Sequence, residues 1–178
     1  VVTHIIDSIY LNKKIKFISF RNEQAAAYAI SAVSKYTSNL NVGVATSGPG
    51  ITNMITGIAE SYFDSTPTLF IAGQVNTYDF KYDMKVRQKG FQETDILTIV
   101  KPITKYCARI NKPEELEPEL KKAIGIALSG RKGPVLLDIP MNIQRSKIKI
   151  SKSGYELDLS VDDSSSDSSM KSSGNKDL

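Results

Sequence analysis

Between Ile15 and Pro140, short apolar runs alternate with longer segments whose apolar residues recur at helical spacing. Two of these runs, Val42-Gly43-Val44-Ala45 and Leu69-Phe70-Ile71-Ala72, are apolar throughout. An uninterrupted run of that length suits a strand covered on both faces, the situation inside a parallel sheet. The pattern predicts strands at Lys16–Phe20, Val42–Thr46, Thr68–Gly73, Thr104–Arg109 and Val135–Ile139. It predicts helices at Gln24–Lys35, Ile51–Tyr62 and Glu114–Leu128, a shorter one near Asp95–Val100, and an opening helix over Val1–Tyr10. Strands joined through helices imply right-handed crossovers and an α/β doubly wound parallel sheet flanked by helices. Ligands of such sheets gather outside the carboxyl ends of the strands. Three polar junctions fall there: Arg21–Gln24, Thr46–Gly50 and Gly73–Asn76.

The chain has 178 residues, 40% apolar and 24% charged, with a formal net charge of +4. That is the composition of a single globular domain able to bury a core. No Lys/Arg run is interleaved with aromatics, so a nucleic-acid partner is not expected. Cys107 and His4 are single residues of their kinds. An internal disulfide and a cysteine-based zinc site are excluded, and His4, on the apolar side of its helix, is read as packed or exposed. No apolar run is long enough for a bilayer and no signal-peptide pattern is present, so we expect no membrane partner and a cytoplasmic location. The chain begins without Met inside an apparent helix, from which we expect an upstream piece to be missing. We divide it into a domain over residues 1–143 and a linker and tail over 144–178. Lys and Ile alternate through Gln144–Ile150, as an edge strand or a linker. From Ser151 onward ten serines stand among Asp and Lys, a composition that predicts disorder.

Chemistry concentrates at two junctions. Arg21-Asn22-Glu23-Gln24-Ala25-Ala26-Ala27 sets one carboxylate between an apolar run and an alanine-rich helix. Glu23 can cap that helix and complement its dipole, or it can meet a molecule packed against the small alanines. Thr46-Ser47-Gly48-Pro49-Gly50 follows a strand and opens a helix: its glycines permit a tight turn, and Pro49 suits the first helical turn. It is neither a Walker loop nor a dinucleotide fingerprint. Read alone, it is a turn whose N–H groups could face an anion or a polar ring.

These motifs belong to one ordered set. Arg21–Ala27, Thr46–Gly50, Asn53, Asp64-Ser65-Thr66-Pro67, Gly73-Gln74-Val75 and Gly90-Phe91-Gln92-Glu93-Thr94-Asp95 are followed by Lys101–Lys105, Ser129–Val135 and Asp138-Ile139-Pro140. In this order they resemble the N-terminal pyrimidine-binding domain of thiamine-diphosphate enzymes, most closely the large catalytic subunit of acetolactate synthase, over Val1 to about Ile143. The resemblance implies that Glu23 hydrogen-bonds N1′ of the cofactor's aminopyrimidine and favours the imino tautomer that deprotonates the thiazolium C2. Such a carboxyl works best desolvated. The resemblance further implies Gln92 as an active-site residue near the reacting carbon, and Phe91 as an apolar wall. It places Gly48, Pro49, Gly50 and Asn53 at the cofactor, and Arg131 at FAD with Lys105 nearby. Arg131 reads equally well as a solvated loop charge, and Glu93 and Asp95 read as helix caps. Arg21 and Asn22 are expected to orient the Glu23 turn.

The implied reaction decarboxylates a 2-oxo acid of the pyruvate type and joins the two-carbon unit to a second carbonyl compound. The implied cofactors are thiamine diphosphate, Mg²⁺ held by a domain not on this chain, and FAD as a further candidate. The implied partners are a second copy of the chain in a homodimer or higher oligomer, or a separate chain carrying the diphosphate domain. Departures from the family pattern are the absent first strand with its glycine-rich loop, the absent Gly-Asp-Gly motif, and a longer, more charged Asn76–Lys89 segment. Two alternatives stay open: a subunit of a split 2-oxo-acid decarboxylase, and a non-catalytic module acting in assembly.

Overall fold

The computed structural model describes residues 1–148. The serine-rich tail and the last two residues of the Gln144–Ile150 segment lie outside the described residues. Helices α1 (Thr3–Leu11) and α2 (Glu23–Thr37) precede β1 (Asn41–Ala45). Helices α3 (Pro49–Asn53) and α4 (Ile55–Phe63) lead to β2 (Thr68–Gln74), and α5 (Ile96–Val100) to β3 (Tyr106–Arg109). The elements α6 (Leu116–Leu128), β4 (Pro134–Pro140) and α7 (Met141–Gln144) follow. The four strands pair in the order β1-β2-β4-β3, and every pairing is parallel. The chain thus passes from β2 out to the β3 edge before β4 fills the gap between them.

Each face of the sheet buries its own set of side chains, because successive strand residues point to opposite sides. Phe70, Ala72 and Leu136 pack against Ala27 of α2, Ile51 and Met54 beside them, Ile58 of α4, and Ile96 and Val100 of α5. Leu69, Val135, Leu137 and Ile139 pack against Ala123 and Ala127 of α6 and Ile143 of α7, with Ile5 of α1 at the margin. All seven residues of β4 are buried, which accounts for a sequence that is apolar except at Asp138. At the α2–α4 crossing a Cβ on Gly57 would lie 2.4 Å from the Ala27 Cβ, so the missing side chain lets the two helices approach.

Two sequence expectations are corrected. The run Lys16–Phe20 takes no regular secondary structure and pairs with no strand among the described residues. Ile15, Phe17, Ile18 and Phe20 are all exposed, Ile18 at 80%. A strand exists through its ladder of backbone hydrogen bonds, and apolar composition alone does not supply one. The helix expected over Ile51–Tyr62 is two helices, interrupted at Met54, whose N–H bonds Ile51 O at 3.1 Å. In Gln144–Ile150, read as an edge strand or a linker, the described residues 144–148 finish α7 and continue irregularly, without a strand.

Candidate functional site

Helix α2 starts where it does because of Asn22. Its Oδ1 accepts a hydrogen bond from the Ala25 N–H at 3.0 Å, taking up one of the free donors of the first turn. Glu23, the first helical residue, is thereby relieved of the capping role its position suggested. Its carboxylate turns instead toward α3, where Oε2 accepts from Asn53 Nδ2 at 2.9 Å. An open groove beside it is lined by Glu23, Pro49, Gly50, Thr52 and Asn53.

The turn after β1 forms the other wall. Gly48 has φ +68° and precedes Pro49 at the start of α3, a conformation that a side chain resists. A Cβ at Gly48 would lie 2.7 Å from the Gln92 Cβ, so this glycine admits the Gln92 loop. A Cβ at Gly50 would stand 3.7 Å from Glu23 Oε1 and 2.6 Å from Thr46 Cγ2. Gly48-Pro49-Gly50 therefore separates Glu23 on one side from Gln92 on the other. Gln92 itself has φ +58°, a costly conformation for a residue with a side chain. Neighbouring Phe91 is 76% exposed.

The fold thus brings Glu23, Gly48, Pro49, Gly50, Asn53, Phe91 and Gln92 to the carboxyl rim of the sheet. It does not bring Arg131 there. Arg131 lies before β4 and donates from Nε to Ser65 Oγ at 2.7 Å, just before β2, at the amino ends of the strands. Lys105 Nζ donates to the carbonyls of Ile126 and Ser129, the latter at 2.7 Å, tying down the end of α6. The desolvation expected at Glu23 is not reached within this chain, where the residue is half-buried. Asp95 is the N-cap of α5, as expected, but Glu93 caps no helix. Its Oε1 accepts from the Lys81 N–H at 2.8 Å, and its Oε2 from the N–H groups of Lys89 at 2.8 Å and Gly90 at 3.4 Å. Its carboxyl is held below the usual range: burial opposes that shift, and these backbone donors outweigh it.

A buried polar group behind the rim carried no role in the sequence reading. Asp138, wholly buried in β4, accepts at Oδ2 from Arg109 Nε at 2.7 Å and from Gln74 Nε2 at 3.3 Å. Burial pushes its carboxyl up to about 6, against the opposing charge and hydrogen bond of Arg109. The available signal was a charge inside the apolar run Val135-Leu136-Leu137-Asp138-Ile139.

Known proteins share this arrangement of sequence. The chain is 39% identical over 156 residues to a probable acetolactate synthase large subunit of Methanocaldococcus jannaschii, covering 88% of this chain and 25% of that protein. It is 36% identical over 160 residues to the acetolactate synthase large subunit of Corynebacterium glutamicum, covering 86% and 25%. With the acetolactate synthase isozyme 3 large subunit of Escherichia coli it shares 39% identity over 142 residues, covering 80% and 24%. The chain spans about a quarter of the length of these relatives. The family model for the thiamine pyrophosphate enzyme N-terminal TPP-binding domain matches residues 2–99, which include Glu23, the Gly48–Gly50 turn, Asn53 and Gln92. The chain belongs to the family of N-terminal thiamine pyrophosphate-binding domains.

Proposed function

We propose that this chain is the cofactor-activating domain of an acetolactate-synthase-like enzyme, which decarboxylates a 2-oxo acid of the pyruvate type and joins the two-carbon unit to a second carbonyl compound. The observation that carries the reading is the Glu23 carboxylate, with one oxygen engaged by Asn53 and the other beside the open groove at Gly50. The groove fits an aminopyrimidine: a flat ring can lie against the side-chain-free Gly50, and a ring nitrogen can meet Glu23 Oε1. Thiamine diphosphate, when bound, supplies an acidic carbon–hydrogen bond and an electron sink for decarboxylation.

Within that scheme Glu23 holds a proton at N1′, and Asn53 fixes which oxygen does so. Gly48 admits Gln92 to the rim to orient the substrate, with Phe91 as an apolar wall. Among the described residues no group of His, Cys, Asp and Glu could hold a metal ion, and our reading assigns Mg²⁺ and the diphosphate to a domain beyond this chain. A second copy, or a partner chain, would close the groove and desolvate Glu23. FAD belongs to the proposal through exposed Arg131, at the other end of the sheet from the groove. No helix among the described residues is long and apolar enough to cross a membrane, and the proposed enzyme acts in the cytoplasm.

The test uses the assembled holoenzyme containing this chain. Glu23→Gln should leave folding intact and slow hydrogen–deuterium exchange at the cofactor C2 by about a hundredfold, within the range for losing a general acid–base group. An unchanged exchange rate refutes the role of Glu23.

A further inference from the structure

Asp138 lies beneath the loop that follows β2, and its partners reach that loop at two separate points. Gln74, buried at the end of β2, donates from Nε2 both to Asp138 Oδ2 and to the Thr94 carbonyl, the latter at 2.9 Å. Thr94 in turn donates from Oγ1 to the Gln92 carbonyl at 3.2 Å. On the other side, the Arg109 guanidinium pairs with Asp138 and lies 4.4 Å from the ring centroid of Phe80. Phe80 is itself buried. The ends of β2, β3 and β4 therefore converge on one carboxylate, and through it grip the loop near its start at Phe80 and near its end at Thr94. The Glu93 carboxylate closes the intervening residues upon themselves.

That grip accounts for how Gln92 keeps its positive φ. Such a conformation persists only where the surroundings over-determine it, and the hydrogen bonds at Thr94 and Glu93 flank it directly. A buried ion pair is weak evidence for stability, since desolvation offsets much of the attraction. Its geometric consequence is plainer: three strand ends and two loop points are held in one arrangement.

We propose that Gln74, Asp138 and Arg109 are positioning residues for the reaction, fixing the Phe91–Gln92 loop against Gly48 and so setting Gln92 opposite Glu23. The inference rests on the reading of Glu23 and Gln92 as the two sides of a thiamine site. Gln74→Met keeps length and flexibility and removes the donor. In the holoenzyme, turnover of the 2-oxo acid should fall about tenfold to a hundredfold, the scale of a misplaced contact. Exchange at the cofactor C2, which depends on Glu23, should stay within about twofold of wild type. Turnover and C2 exchange falling together would show a merely structural role and overturn the proposal, as would turnover unchanged.

Amide hydrogen exchange in the same protein needs no cofactor chemistry. It should accelerate at Gly90–Thr94 and not in β1, and equal rates in variant and wild type also overturn the proposal. Should Gln74→Met fail to fold, Asp138→Asn carries the same three measurements. A wild-type holoenzyme with no Glu23-dependent C2 exchange would instead refute the functional reading, leaving the amide measurement to decide the loop.

Discussion

Gly48 is where a single residue does most for the site. Its φ of +68° and the 2.7 Å that would separate an added Cβ from the Gln92 Cβ are two independent objections to any side chain. Gly48→Ala should therefore cost about 1–3 kcal/mol, from left-handed strain and overpacking together. The displaced neighbour is Gln92, so activity should fall further than stability, which denaturant titration and turnover of one sample will show. Glu23 and Asn53 make the complementary case. Their hydrogen bond joins residues 30 positions apart, and it orients the carboxylate that the Asn22 cap leaves available.

At the scale of elements, the start of α2 divides two roles between adjacent residues. Asn22 supplies the cap, and Glu23 turns its carboxylate to Asn53 and the groove, where we propose it acts on the cofactor. Asn22→Ala should thus lower stability by about 1 kcal/mol, the usual value of an N-cap, whereas Glu23→Gln should leave the melting temperature nearly unchanged. Equal losses in thermal denaturation would mean that Glu23 serves the helix after all. The β2–α5 connection is the other element to weigh. Its Asn76–Lys89 part is long and charged in sequence, and Glu93 and Phe80 fold it into a defined wall. Period-based reading finds helices and strands and has no term for such a wall, whose bonds reach backbone N–H groups up to 12 residues away.

For the molecule as a whole, Asp138 makes stability depend on pH. Its folded pKa of about 6 lies above the ordinary aspartate value of 3.8, so between those values the folded state binds more protons than the unfolded one. Stability from this group is present below about pH 4 and is lost as pH rises through 6, by about 3 kcal/mol for the difference. Burial causes the shift; Arg109 on β3 opposes it and Asp95 before α5 adds to it. Relative to wild type, Asp138→Asn should accordingly be about 3 kcal/mol better placed at pH 7 than at pH 4, by chemical denaturation at both. No change between the two pH values would mean that the carboxyl titrates normally.

Much of this protein is written locally. The parallel α/β sheet was legible in the unbroken apolar runs within β1 and β2, since residues covered on both faces carry no polar alternation. The ordered motifs around Glu23, Gly48–Gly50, Asn53 and Gln92 point to the rim from the sequence. Tertiary structure alone decided which of these residues meet. It set Arg131 at the opposite end of the sheet, left Lys16–Phe20 unpaired among the described residues despite its strand-like composition, and gathered Gln74, Arg109 and Asp138 into one cluster around a buried carboxylate. The physical reason is the same in each case. Strand pairing and buried polar satisfaction depend on partners distant in the chain, which a pattern of near neighbours does not encode.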